Sequence, residues 1–477
     1  MITRRHAVGS LLSGVVLRSQ PEAQTRQATG VKVGEVTPDA AVIWTRRTAS
    51  AGRLVDGILR KGAGKNARAP EPGADVNRFE GACPGGDGYI RLIVEAASGR
   101  SRKKTSSWMD VNPEQDFTYQ FRVSGLEPST VYRYVVETRG DSKRVDSPVG
   151  GRFRTAPAES VAVPIHFALT SCQKYSETDR PDGFHMYEAL AKVNADFFVS
   201  CGDNVYYDSD DPVVNSAAVA RYHWQRMYSM ATLRNCLGNL PGYWQKDDHD
   251  VYSDDSYPGM QTQKMLPFQF AEGQRLFREQ VPAPTEKNPM YRRFRWGTQV
   301  EIWLPEGRDH RSANPDPDGP GKSIWGPAQK RWLEETLANS PARWKFVINP
   351  NPVIGPDHGR KRDNHANPSF ATEGLEFRKW LKANVEGSVI LMNGDRHWQY
   401  HSVDPDTELN EFGCGAASDS HSVMPSGGED LRYHRFLRAK GGFVTCRVDP
   451  SAQTLVLQHH DVHGAVTNRV VFGKRAV

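Results

Sequence analysis

Four short polar clusters, each set behind a strand or probable strand, constrain this chain more than any other feature. They are Thr170-Ser171-Cys172-Gln173, Gly202-Asp203-Asn204-Val205-Tyr206-Tyr207-Asp208, Lys246-Asp247-Asp248-His249-Asp250 and Asn393-Gly394-Asp395-Arg396-His397. Asp254-Asp255 extend the third cluster, and His401 follows the fourth. Short apolar stretches at 165–169, 195–200, 344–348 and 388–392 read as buried strands, with another ahead at 299–304. Helices are expected within 183–193 and over 327–337 and 374–384. Strands alternating with helices make an α/β region, placed at 163–474, and such sheets carry ligands just beyond their strand ends.

Five aspartates lie between Asp247 and Asp255. Two like charges about 4 Å apart repel by about 4 kcal/mol at an effective dielectric near 20. Converging carboxylates therefore need cations or raised pKa values. A solvated acidic loop explains that run alone; four clusters at successive strand ends favour metal.

Residues 28–157 read as all-β. Thr118-Tyr119-Gln120-Phe121-Arg122-Val123 alternates with period two, and Leu126-Glu127-Pro128 precedes Tyr132. With Trp44 on an early strand, the pattern resembles a fibronectin type III sandwich, in which the Trp fills the inter-sheet core and the Tyr hydroxyl pins a corner. Ahead of it, Arg4-Arg5 and a short, weakly apolar run read as a twin-arginine export signal over 1–27. That implies the twin-arginine translocase as a partner and a periplasmic or secreted location. Lys+Arg 61 against Asp+Glu 56 leaves +5, too little for a dedicated nucleic-acid protein. No apolar run is long enough for a transmembrane helix. Six scattered cysteines make no disulfide framework.

The ordered set of motifs resembles the PhoD-type alkaline phosphatases, a branch of the calcineurin-like metallophosphoesterases. Ser171-Cys172-Gln173, Gly202-Asp203-Asn204-Val205-Tyr206, Asp247-Asp248-His249-Asp250 and Gly394-Asp395-Arg396-His397 match that branch in order. Gly30 to Gly34 and Trp44-Thr45-Arg46 are similar to its fibronectin-like leader. The resemblance implies a metallophosphoesterase β-sandwich flanked by helices and preceded by the all-β leader. It also implies Fe3+ with Ca2+, and cleavage of phosphate monoesters or diesters by metal-activated water.

In that pattern Cys172, Tyr206 and His397 hold iron, a fit for thiolate and phenolate donors. Asp203 bridges to a second cation held by Asp248 and Asp395, whose hard oxygens suit calcium. Asn349 and Asn351 are candidate amide ligands, and His249 a general acid. Arg308 and Arg311 are candidate phosphate forks. Asp208 is left without a role. Lys246 and the run after Asp250 depart from the family pattern. Three alternatives stand beside this reading: a phospholipase D-like phosphodiesterase, a metal hydrolase of non-phosphate esters, and a non-catalytic calcium-binding surface protein.

Overall fold

The structure, a computed structural model, describes residues 24–99, 103–357, 360–425 and 430–473. The expected export signal therefore lies, up to residue 23, outside the described residues. No helix among the described residues is long and apolar enough to cross a membrane.

Two mixed sheets form the α/β body. One has the strand order Val466–Gly473, Thr454–His460, Phe443–Asp449, Ile165–Thr170, Phe197–Cys201, Gly242–Gln245, Val31–Gly34, Ala40–Arg46, Thr118–Ser124. The other runs Arg292–Trp296, Val300–Leu304, Trp344–Asn349, Ser388–Asn393, Asn410–Cys414, Gln399–Val403, His434–Arg438. Alternation along their central strands sorts side chains between two layers. Phe167, Phe197, Tyr243, Phe346 and Met392 point between the sheets and form one core. Their neighbours Ala168, Phe198 and Trp244 point outward under the helices Ala217–Tyr228, Ala231–Leu237 and Phe270–Gln280. On the opposite outer face, Trp303, Val347 and Leu391 lie under Gly326–Ala338 and Ala371–Asn384. Strands buried on both faces lose the polar-apolar alternation, which is why they read as continuous apolar runs.

The N-terminal strands Val31–Gly34, Ala40–Arg46 and Thr118–Ser124 face a smaller sheet containing Tyr89–Ala96, Val131–Arg139 and Val149–Arg154. They also extend the first of the two large sheets, because Gly34 pairs with Gly242 in parallel. A Cβ on Gly34 would meet the Gly242 carbonyl and Pro282 at 2.7 Å, so glycine permits that edge-to-edge seam.

Tyr132 behaves as the corner residue: its Oη accepts from the Glu127 N–H at 2.9 Å. Trp44 corrects the sequence reading. Its strand neighbours Ala41 and Ile43 fill the sandwich core, and the pleat sends Trp44 to the other face. There its Nε1 donates to the Glu279 carbonyl at 2.8 Å. The Lys32 ammonium, 1% exposed, lies over the rings of Trp44 (3.9 Å) and Tyr228 (3.6 Å) and donates to the Gln280 carbonyl. Desolvation pushes Lys32 well below its usual pKa. Trp44 thus packs the sandwich against the α/β body.

Candidate metal centre

The parallel strands end in register. Ser200 pairs with Thr170, Cys201 with Gln245, and Asn349 with Asn393, so the residues that follow converge on one edge. Cys172, Asp203 and Asp395 are each the second residue past a strand end and have left-handed backbone, φ +55°, +55° and +58°. A non-glycine residue there costs about 1–3 kcal/mol, a strain found where side-chain placement is over-determined. The neighbouring glycines permit the crowding. A Cβ on Gly202 would lie 2.5 Å from Asp247 Cβ, and one on Gly394 2.1 Å from Ser171 Oγ. Backbone bonds fasten the loops together: Gln173 N donates to Asp203 O (3.0 Å), Gly394 N to Pro350 O (3.1 Å) and Tyr207 N to His249 O (3.0 Å).

Asp203 is the junction. Its Oδ2 accepts from Tyr206 Oη at 2.9 Å and from Cys172 Sγ at 3.5 Å. Tyr206 Oη is 3.3 Å from His397 Nε2. Ligand atoms of Cys172, Asp203 and His397 lie within 4.8 Å of one another, as do those of Asp203, Asp248 and His249. Asp203 alone belongs to both sets. Two further sets, Asp248/Asp255/Asp363 and Asp357/Asp363/Asp395, continue from it, linked through Asp248 and Asp363. Asp203 Oδ1 and Asp395 Oδ2 are buried without a protein hydrogen bond.

Electrostatics follows from this crowding. Burial, then the Asp248 charge, pushes Asp203 well above the usual carboxylate range. Burial and Asp203 push the Cys172 thiol and the Tyr206 phenol up in the same way. Burial and the His249 charge hold His397 down at about 3, leaving its ring neutral and able to donate a lone pair. Asp255 is raised to about 7 by burial and Asp363. Asp248 goes the other way: against the cost of burial, Arg308, His249 and Lys361 hold it low.

Cys172, Asp203, Tyr206, Asp248, His249 and His397 are thus brought together, with Asp395 in the adjoining acidic set. Tyr207, the next residue after Tyr206, turns into the helical layer and accepts from Trp224 Nε1. His401 stacks on Phe412 and bonds Asn410, away from the cluster.

The two arginines do not face the cleft. Arg308 is fully buried, and its guanidinium is bound to Asp247 (2.6 Å), Asp363 (3.1 Å) and Asp248 (3.6 Å). Arg311 Nη2 donates to the Asp363 carbonyl, and its guanidinium lies over Phe370. Their loop packs inward because it must offset buried aspartates. The two asparagines differ. Asn349 Oδ1 accepts from Trp325 Nε1, while Asn351 Nδ2 donates to Asp247 and its Oδ1 is buried without a protein hydrogen bond.

Four residues gain positions that the sequence did not assign. Asp363 and Asp357 come from the 355–368 loop, which has no pattern to reveal them. His421 lies against His397, ring centroids 4.0 Å apart and planes tilted by 43°, and its Nδ1 is 3.1 Å from the Cys172 carbonyl. Asp208 Oδ1 is 2.7 Å from His249 Nδ1. Asp208 and His249 push each other apart in pKa: burial opposes both shifts, yet Asp208 is held at about 2 and His249 well above its usual value.

Asp203, His249, Asp395 and His397 open onto a cleft of about 350 Å3, with Lys361, Trp398 and Val423 on its wall. That volume suits a small ligand. A helix-flanked double sheet gathering a thiol, a phenol, histidines and carboxylates at its strand ends has the architecture of a metallophosphoesterase. Comparison with known proteins agrees. The PhoD-like phosphatase profile matches residues 167–427, and its N-terminal-domain profile matches 14–157. Alkaline phosphatase D of Bacillus subtilis (strain 168) is 25% identical over 483 residues, spanning 88% of this chain and 75% of its own. The solved structure of PhoD superposes with a TM-score of 0.70 at 18% identity, covering 95% of this chain and 90% of that one. A purple acid phosphatase from yellow lupin (Lupinus luteus) seeds superposes at 0.60 and 11%, covering 92% and 73%. The chain belongs to the PhoD-like phosphatase family, and with membership comes its class: a metal-dependent phosphoric ester hydrolase.

Asp208 holds His249 Nδ1, so Asp208→Asn should lower kcat by about 10- to 100-fold with little change in thermal midpoint, the size usual for losing the hydrogen-bond partner of a site histidine. Steady-state kinetics beside a melting curve checks this; unchanged kcat removes Asp208 from the site.

Proposed function

We propose that Cys172, Asp203, Tyr206 and His397 hold a ferric ion and that Asp203 shares its carboxylate with a calcium ion on the Asp248 side. The observation that carries this is the double membership of Asp203, with one oxygen meeting phenol and thiol and the other left without a partner. The donor chemistry fits: thiol, phenol and neutral imidazole suit ferric iron, while the run of carboxylates through Asp363 to Asp395 suits a hard cation. When bound, such a pair supplies Lewis acidity and activates water.

The chain's own groups do the rest. Asp203 fixes the spacing of the two sites. Arg308 holds Asp247 and Asp248 in place from behind, a positioning role. Asp208 takes His249 Nδ1, which leaves Nε2 to protonate the leaving oxygen of a phosphate monoester or diester. The lining of the cleft by His249 supports that role. Residues 28–157 seal one flank of the catalytic body and supply no ligand. Export through the twin-arginine translocase to the periplasm or beyond is part of the proposal, supported by Arg4-Arg5 and the apolar run behind them. An Arg4→Lys/Arg5→Lys variant should then stay in the cytoplasm on fractionation; normal export of that variant contradicts the route.

Asp203→Asn keeps the volume and removes the shared charge. It should lose at least one metal by elemental analysis and lower kcat by at least 100-fold on p-nitrophenyl phosphate and bis-p-nitrophenyl phosphate, the scale of a lost electrostatic stabiliser. Tyr206→Phe should abolish a visible phenolate-to-iron absorption band. Two metals and near-normal turnover in Asp203→Asn overturn the shared-carboxylate assignment; an iron-free, fully active wild type overturns the iron.

A further inference from the structure

The most exposed large apolar side chains of the N-terminal region lie in one short loop. Val55 is 75% exposed, Leu59 55% and Ile58 49%. The loop is not loose. Leu54 N donates to Ala82 O (2.9 Å), Ile58 N to Arg78 O (2.8 Å) and Glu80 N to Ile58 O (3.0 Å). Gly57 packs so closely that a Cβ would meet the Phe79–Glu80 backbone at 2.7 Å. A pinned loop that still turns three aliphatic side chains to water bears a cost that something must offset.

The charges beside it point to what covers it. Arg53 and Arg60 are neutralised by Glu80 and Asp211, 2.7 and 2.6 Å away. Lys61, Lys65, Arg68 and Arg78 remain exposed around the tip, against exposed Asp56 within it and exposed Glu71 and Asp75 beside it. A specific protein interface needs about 800 Å2 per partner and usually aromatic anchors. A five-residue aliphatic tip with no aromatic residue offers neither. Aliphatic side chains flanked by lysines instead match a bilayer, where the former enter the acyl boundary and the latter meet anionic headgroups.

We propose that the 55–59 tip and its flanking lysines dock this protein on an anionic lipid surface. The site also has a defined place relative to the cleft. Gly64 N donates to Ser209 O (2.8 Å) and Asp211 N to Gly62 O (3.1 Å), so the loop is bound to the segment that directly follows Asp208. Docking brings that flank of the catalytic body to the membrane.

Co-sedimentation of the full chain with vesicles tests it, comparing phosphatidylcholine alone with phosphatidylcholine plus phosphatidylglycerol. The protein should pellet with the mixed vesicles only. Val55→Ser/Leu59→Ser should lower partitioning at least tenfold, roughly the loss of two buried aliphatic side chains. Lys61→Gln/Lys65→Gln should lower it by about 25-fold at low salt, about fivefold per lysine, and the effect should shrink as salt is raised. Unchanged thermal midpoints show that both variants fold. No binding to the mixed vesicles, or binding indifferent to both variants, overturns the proposal. So does a dimer in vesicle-free sedimentation that Val55→Ser/Leu59→Ser dissolves, since a second copy then covers the tip.

Discussion

Everything at this site turns on a carboxylate held almost wholly out of water. Asp203 is 1% exposed, held by left-handed backbone between a phenol, a thiol and the Asp248 carboxylate. Burying an unpaired charge is expensive, and burying several near one another more so. The fold answers part of that demand with protein cations. Arg308 sits among Asp247, Asp248 and Asp363, and Lys361 binds Asp254 and Asp255. No ion pair reaches Asp203 or Asp395 among the described residues, and each keeps a buried oxygen without a partner. The cation demand is therefore concentrated where the reaction is proposed to take place.

The two-sheet architecture creates that demand. In-register parallel strands deliver Ser171-Cys172, Gly202-Asp203 and Gly394-Asp395 to one edge, and glycine lets their backbones approach within contact distance of their neighbours. Asp250 then ties two of the loops together, accepting from Asn204 N, Asn204 Nδ2 and Asp247 N. The sandwich is joined to this body through the Gly34–Gly242 seam and the Lys32 cage.

The central strands and the residues just behind them were legible in sequence because both signals are local: a continuous apolar run, then a polar cluster. Tyr206 stands third after Asp203 in its motif, and the structure turns its ring and that of Tyr207 to opposite environments. Much of the remainder depends on tertiary charge pairing, which leaves no local trace. Ala217–Tyr228 shows no clean apolar stripe because His223, Gln225 and Arg226 are buried beside its apolar residues. Arg226 finds Asp211 O and Asp210 there, partners distant from it in sequence only by a loop. Arg308 reads in sequence as a phosphate fork, since nothing local says that three aspartates surround it. Asp208 looked idle because its partner His249 is 41 residues away. Trp44 was assigned to the wrong side of its strand by analogy, although the pleat fixes its side once Ala41 and Ile43 are placed.

The central claim is that cations hold this cluster of buried carboxylates together. Elemental analysis with melting curves, before and after exhaustive chelation and again after metal is restored, tests it directly. Purified protein should carry metal, lose both metal and phosphatase activity on chelation, melt at a markedly lower temperature, and recover on reconstitution. Full activity and an unchanged melting temperature in metal-free protein would contradict the account.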